Sequence, residues 1–149
     1  MRIAFDSNVL LYAEGLNGPA QQHQAVGAID LVRVSRADMV IPVQVLGEVF
    51  AVLRRKSGWP PDRVRQSLAD WRASGTIVPT TEMVLVRAAD LAVDHLLGCW
   101  DSVIFAAAAE ANCRALLSED MQDGFSWGGV TVINPFYEKG LAILQSLLS

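Results

Sequence analysis

The chain has 149 residues, of which 52% are hydrophobic and 19% charged, and its formal net charge is −4. This length predicts a single domain over residues 1–149 with one core. The sequence has no apolar run of roughly 20 residues and no signal peptide, which argues against a membrane protein and predicts a cytoplasmic one, while the acidic balance argues against a general coat for nucleic acid.

Short apolar segments alternate with amphipathic ones along the whole chain. Their periodicity predicts strands at residues 2–5, 39–41, 76–78, 114–117 and 130–133, and helices at 9–13, 21–36, 43–56, 62–73, 82–97, 101–109 and 137–148. The helix at 62–73 is expected to be exposed, and residues 121–129 are expected to form a glycine-containing loop. This alternation predicts an α/β fold, a single-domain sandwich with a mostly parallel central sheet flanked by helices.

Three polar residues, Asp6, Ser7 and Asn8, follow the first predicted strand directly. In open α/β sheets the carboxyl ends of the strands border the crevice where ligands bind, so a carboxylate at this point is a candidate site residue. The alternative is that Asp6 or Ser7 only caps the helix that follows. Taken alone, this segment does not decide between the two interpretations.

Three further acidic residues occupy comparable positions. Asp120 follows the predicted strand at 114–117, Asp101 opens a helix made almost entirely of apolar or small residues, and Glu48 lies in an apolar stretch of the helix ending at Lys56. Asp101 has the alternative of being a helix cap, and Glu48 that of facing solvent. Independent caps explain each residue singly but explain the four acids poorly as a set.

Carboxylates that meet in a partly apolar crevice repel one another unless a cation neutralises them. Oxygen ligands alone select a hard divalent ion, so we expect Mg²⁺, with Mn²⁺ able to substitute, and phosphodiester hydrolysis as the chemistry. Neither histidine neighbours a carboxylate motif, and the sequence has no nucleophile elbow and no phosphate-binding loop.

Two other groups of residues complete the sequence inventory. Arg54, Arg55 and Lys56 form a basic cluster that either complements the helix dipole or holds phosphates.

Cys99 and Cys113 have no metal-ligand spacing, so we expect two reduced, buried thiols and neither a zinc site nor a disulfide.

The ordered set of motifs resembles the PIN-domain family, and within it the VapC-type toxins of bacterial toxin–antitoxin pairs. The motifs are Phe5-Asp6-Ser7-Asn8-Val9-Leu10-Leu11-Tyr12, Gln44-Val45-Leu46-Gly47-Glu48-Val49-Phe50, Trp100-Asp101-Ser102-Val103-Ile104, Leu117-Ser118-Glu119-Asp120 and Ile133-Asn134-Pro135-Phe136. Each motif is weak by itself, but they span nearly the whole chain in the family's order.

The resemblance implies a metal-dependent ribonuclease that cuts single-stranded RNA. Its acidic quartet is carried onto Asp6, Glu48, Asp101 and Asp120. The small polar residues that accompany the acids, as groups that position carboxylates or water, map onto Ser7, Asn8 and Ser118, with Asp123 as an alternative to Asp120. The family further implies a homodimer and a cognate antitoxin partner, and it leaves tRNA, rRNA and mRNA open as substrates.

Two other functions remain open at this point. One is a Mg-dependent phosphohydrolase of another α/β family with Asp6 as nucleophile, although Asn8 stands where a haloacid-dehalogenase-like enzyme has a second aspartate. The other is a non-catalytic interaction module whose carboxylates are only caps and surface charges. Divalent-ion binding distinguishes the nuclease from the interaction module.

Overall fold

Apolar runs that are buried on both faces form the strands of this protein, and amphipathic segments form the helices between them. A computed structural model describes residues 1–149. The strands are β1 Arg2–Phe5, β2 Asp38–Pro42, β3 Thr76–Val78, β4 Ala115–Leu117, β5 Ser126–Trp127 and β6 Val130–Ile133. The helices are α1 Ser7–Ala13, α2 Pro19–Val34, α3 Val43–Lys56, α4 Pro61–Ser74, α5 Glu82–His95, α6 Cys99–Glu110 and α7 Glu138–Leu148.

The six strands form one sheet in the order β3-β2-β1-β4-β6-β5. Every neighbouring pair is parallel except β5 with β6, which is antiparallel. A cluster of 39 buried apolar residues, contributed by strands and helices, forms the core. The predicted α/β class with a mostly parallel sheet flanked by helices is confirmed.

The two central strands, β1 and β4, bring distant parts of the chain together at their carboxyl ends. Phe5 lies in register with Leu117, and the amide of Asp6 donates to the carbonyl of Leu117 at 2.9 Å. Strands β2 and β3 lie on one side of β1 in the sheet, whereas β4, β6 and β5 lie on the other side. Crevices that bind ligands open at such a reversal of strand order.

Two helices carry further acidic residues to this edge. Helix α3 begins at Val43, immediately after β2, so Glu48 lies in its second turn. Helix α6 packs against α3, and its residues 102–109 are all buried because small and apolar side chains surround its whole circumference. Asp101 lies in the first turn of α6.

Three sequence expectations about the fold need correction. The segment 121–129 contains strand β5, which is too short to show a strand period; Gly128 and Gly129 both have positive φ and turn the chain back into β6. Helix α4 is not simply exposed, since Val64 and Trp71 are buried. The third correction concerns Cys99, which is exposed, while Cys113 is buried.

No helix has the length and apolar character needed to cross a bilayer.

Candidate active site

Asp6 is fixed by hydrogen bonds to both of its carboxylate oxygens. Its Oδ1 accepts from the amide of Ser7 at 2.7 Å, which caps α1. Its Oδ2 accepts from Ser118 Oγ at 2.6 Å and from Asn8 Nδ2 at 3.3 Å. Asp6 therefore caps a helix with one oxygen and is tied to the end of β4 by the other, so the two interpretations of this residue are compatible.

Burial raises the pKa of Asp6 to about 6 from its ordinary value of 3.8. The hydrogen bonds from Ser118 and Ser7 lower this pKa, whereas the negative charges of Asp101 and Asp120 raise it. Carboxylates in a partly buried setting repel one another more strongly than they would in bulk water. Asp6 therefore shares one electrostatic environment with acids far away in sequence.

Glu48 completes this acidic environment from helix α3. Burial, together with the smaller effects of the charges of Asp6, Asp101 and Asp120, raises its pKa to about 7. The Glu48 Oε2 atom is buried and has no hydrogen-bond partner. A buried acceptor without a partner is costly in a folded protein. This oxygen therefore has an unused acceptor position, and the alternative of a glutamate that simply faces solvent is wrong because Glu48 is half-buried.

Asp101 does not cap α6, contrary to one of the sequence interpretations. The helix begins at Cys99, its N-cap is Gly98, and no side chain makes a capping hydrogen bond. Burial and the charge of Asp120 raise the pKa of Asp101. Asp101 and Asp120 also line a common cleft of about 230 Å³. The carboxylate of Asp101 therefore lines the cleft and makes no capping hydrogen bond to the backbone.

The exposed Asp120 is positioned through its two neighbours in the chain. The amide of Glu119 donates to Asn8 Oδ1 at 3.2 Å, and the amide of Met121 donates to Ser118 Oγ at 3.2 Å. Asn8 and Ser118 thereby join Asp6 to the loop that carries Asp120.

A second contact, which the sequence did not reveal, holds the same loop from outside. The carboxylate of Glu119 accepts from Tyr12 Oη at 2.9 Å and from Gln21 Nε2 at 3.3 Å. Burial and the Glu119 carboxylate together raise the pKa of Tyr12 to about 12. No feature of the sequence near Tyr12 or Glu119 indicated this contact.

Asp123, the sequence alternative to Asp120, has a different role in the structure. Its Oδ1 accepts from the amide of Asn134 at 2.9 Å. Its charge is not among the causes that raise the pKa of Asp6, Glu48 or Asp101, whereas that of Asp120 raises all three. The structure therefore groups Asp120, and not Asp123, with the other acids.

The basic residues Arg54, Arg55 and Lys56 form the last turn of α3 and are exposed. None of them forms an ion pair. By contrast, Arg65 pairs with Asp62 and Arg63 stacks on Trp59. The three residues on α3 are therefore free to contact phosphates, and they lie on the helix that also carries Glu48.

The donor set suits a hard divalent ion. All the site's charged groups are carboxylates, and the orphaned Glu48 Oε2 lacks a partner that a cation or its water would supply. In their present positions no three acidic, histidine or cysteine side chains are gathered closely enough to hold an ion by themselves. Mg²⁺ commonly keeps several waters and uses one or two carboxylates directly. The residues therefore fit an ion held partly through water.

A family model described as PIN domain matches residues 3–124. Three solved structures share the fold. VapBC2 from Rickettsia felis bound to a DNA fragment from their promoter has a TM-score of 0.61 and 15% sequence identity, and the match covers 79% of this chain and 87% of that chain. A toxin–antitoxin complex from Klebsiella pneumoniae has a TM-score of 0.65, 20% identity and coverage of 89% of this chain and 97% of that chain, and the sarcin–ricin loop cleaving toxin VapC20 from Mycobacterium tuberculosis has a TM-score of 0.63, 18% identity and coverage of 79% and 89%. No curated protein matches the chain closely in sequence.

Proposed function

Because the chain belongs to the PIN-domain family, we propose that it is a Mg²⁺-dependent endoribonuclease that hydrolyses phosphodiester bonds in single-stranded RNA. One observation supports this most directly. The pKa of Glu48 is raised to about 7 by burial and by the charges of Asp6, Asp101 and Asp120, so acids from four parts of the chain interact electrostatically. A non-catalytic module has no need for such mutual repulsion.

In this proposal Asp6, Glu48, Asp101 and Asp120 hold Mg²⁺ or Mn²⁺, directly or through waters, and Asp6 and Asp101 are central. A bound ion of this kind lowers the pKa of a water and stabilises the charge that develops on phosphodiester oxygens. Asn8 and Ser118 orient the carboxylate of Asp6 through their hydrogen bonds. Ser7 contributes its backbone amide to the same carboxylate.

The basic turn at Arg54, Arg55 and Lys56 contacts RNA phosphates in this proposal. We expect Arg55→Ala to weaken RNA binding more than it slows the cleavage of RNA that is already bound. Binding should also depend less on salt, because one fewer counterion is released. Arg33→Ala is the matched control, since Arg33 is an exposed arginine on α2. An equal effect of both substitutions would argue against a phosphate contact at Arg55.

The biological setting follows from the structural neighbours. One of them is a toxin–antitoxin complex, another is VapBC2 bound to promoter DNA, and the third is a toxin that cleaves the sarcin–ricin loop. We propose that this chain is likewise the toxin of a toxin–antitoxin pair, with a cognate antitoxin as partner and a homodimeric state. The cytoplasmic location expected from the sequence stays a prediction.

Cleavage of labelled single-stranded RNA, with Mg²⁺ or Mn²⁺ titrated into chelator-treated protein, tests this function. We expect Asp101→Asn to abolish both cleavage and growth inhibition, because it removes one charge from the ion site. Asp90→Asn, an exposed aspartate on the neighbouring helix α5, is the matched control and should stay active. Full activity of Asp101→Asn, or cleavage that persists without divalent ions, would refute the proposal.

A further inference from the structure

The cleft that contains Asp101 and Asp120 extends well beyond these two carboxylates. It is formed by the end of α5, the α5–α6 connection and the loop that follows Asp120, and its volume is about 230 Å³. Its other lining residues include His95, Leu96, Gln122 and Phe125. Drug-sized ligands occupy pockets of roughly 300 to 1,000 Å³. A cleft slightly smaller than these suits a single ring system.

One wall of the cleft is aromatic and packs against the core. The rings of His95 and Phe125 meet edge to face with centroids 5.4 Å apart, and Phe125 packs in the same way on the buried Phe105 at 5.5 Å. The amide of Phe125 donates to the carbonyl of Gln122 at 3.1 Å, which closes the loop on this side. The wall is therefore formed before any ligand arrives.

The charges in the cleft favour a neutral occupant. Its lining includes two carboxylates and neither lysine nor arginine. Away from the ion proposed at Asp101 and Asp120, a phosphate placed against the aromatic wall would find no positively charged side chain to pair with. An uncharged ring needs no such partner, and the amide of Gln122 offers it both a donor and an acceptor.

Proteins that bind single-stranded RNA stack unpaired bases on Phe, Tyr, Trp or His side chains. We propose that this cleft is a subsite for one unpaired nucleobase of the RNA, the base adjacent to the phosphate held at the carboxylates. His95 stacks on the base and Gln122 contacts its polar edge. The inference rests on the proposed ribonuclease function and adds to it a requirement for an unstacked base beside the cleaved bond.

Removal of the base from the substrate tests this subsite. The probe is a fluorescein-labelled single-stranded RNA that the wild-type protein cleaves at one mapped bond, compared with versions in which a single abasic ribose replaces each nucleotide near that bond. We expect one abasic position to lower kcat/KM by about tenfold to a hundredfold, as loss of base stacking does. A flat response at all positions would overturn the subsite.

His95→Ala links that effect to the cleft. We expect this variant to cleave the intact RNA about tenfold less efficiently and to lose little more when the critical base is absent, because the two changes remove the same contact. The control is His23→Ala, which changes the only other histidine, an exposed residue outside this cleft. It should behave as wild type with every RNA.

Each remaining outcome has one meaning. If His95→Ala and the abasic position lower kcat/KM independently, so that their effects multiply, the base binds elsewhere and the inference is wrong. If His95→Ala leaves RNA cleavage unchanged, the cleft serves a protein side chain or no ligand, which also overturns it. If wild-type protein cleaves no single-stranded RNA, the proposed function itself fails, whereas cleavage with a flat abasic series overturns the subsite alone.

Discussion

Ser118 Oγ donates a 2.6 Å hydrogen bond to Oδ2 of Asp6 across 112 residues of chain. The pair lies where β1 and β4 end side by side, and the same hydroxyl accepts from the amide of Met121 at 3.2 Å. This hydroxyl therefore links the most buried acid of the site to the loop that carries Asp120. It also lowers the pKa of Asp6 against the effect of burial.

Ser118→Ala should weaken both the fold and the site. The substitution leaves a buried carboxylate oxygen and an amide with fewer partners, so we expect a loss of roughly 1–3 kcal/mol in the free energy of unfolding. The pKa of Asp6 should rise, so more Mg²⁺ should be needed for half-maximal cleavage. Urea denaturation and metal titration measure these effects. Ser126→Ala removes an exposed serine hydroxyl as control, and equal behaviour of the two variants would contradict the prediction.

Much of this arrangement could be predicted from the sequence, because strands and their ends are encoded locally. Apolar runs located β1, β2, β3, β4 and β6, and parallel pairing requires carboxyl ends to meet at one edge. Asp6 and Asp120, which each follow a strand, could therefore be expected to lie together. Strand β5 was missed because two residues are too few to show a period.

The features that the sequence could not give depend on tertiary packing. The contact between Tyr12 and Glu119 joins residues 107 positions apart, and nothing local to either residue indicates it. Helical periodicity indicated that Glu48 has apolar neighbours on its helix. It could not show that the Oε2 atom of Glu48 is buried without a hydrogen-bond partner. Likewise, the cleft beside His95 exists only because Phe125 folds back against α5 and α6.

Tyr12→Phe tests whether the outer contact to Glu119 positions Asp120. The variant keeps the ring that packs on Phe136 and loses only the hydroxyl. We expect a stability loss of roughly 0.5–1.5 kcal/mol and a fall of roughly threefold to tenfold in kcat at saturating Mg²⁺, because the loop holds Asp120 less rigidly. Tyr137→Phe, at an exposed tyrosine, is the control. Unchanged kcat would limit Tyr12 to a structural role.

Glu48→Gln should make the metal-free protein more stable while it removes activity. The substitution relieves repulsion with Asp6, Asp101 and Asp120. We expect a gain on the order of 1 kcal/mol at neutral pH, because the group is half-exposed and water partly screens it. Urea denaturation in chelator measures the gain, and RNA cleavage in Mg²⁺ measures the loss. A Glu48→Gln protein that is less stable than the wild type would show that the neighbouring acids do not repel the charge of Glu48.

The raised pKa values predict how stability depends on pH without metal. Between their ordinary values of 3.8 and 4.5 and their folded values of about 6 and 7, Asp6 and Glu48 hold protons that the unfolded chain has released. Stability therefore falls as pH rises through this window. Mg²⁺ binds the ionised form, so it should raise Tm more at about pH 7.5, above both folded pKa values, than at about pH 5, below both of them. Differential scanning calorimetry at both pH values checks this, and an equal Mg²⁺ effect at both would contradict it.

The central claim is that Asp6, Glu48, Asp101 and Asp120 together hold a divalent ion. The most direct test is anomalous diffraction from crystals soaked in Mn²⁺, with Asp101→Asn crystals soaked identically as control. We predict an anomalous peak between Asp6 and Asp101 in the wild-type protein, with carboxylate or water oxygens about 2.1 Å away, and a weak or absent peak in the variant. A saturating soak that gives no peak there, or a peak unaffected by Asp101→Asn, would contradict the account.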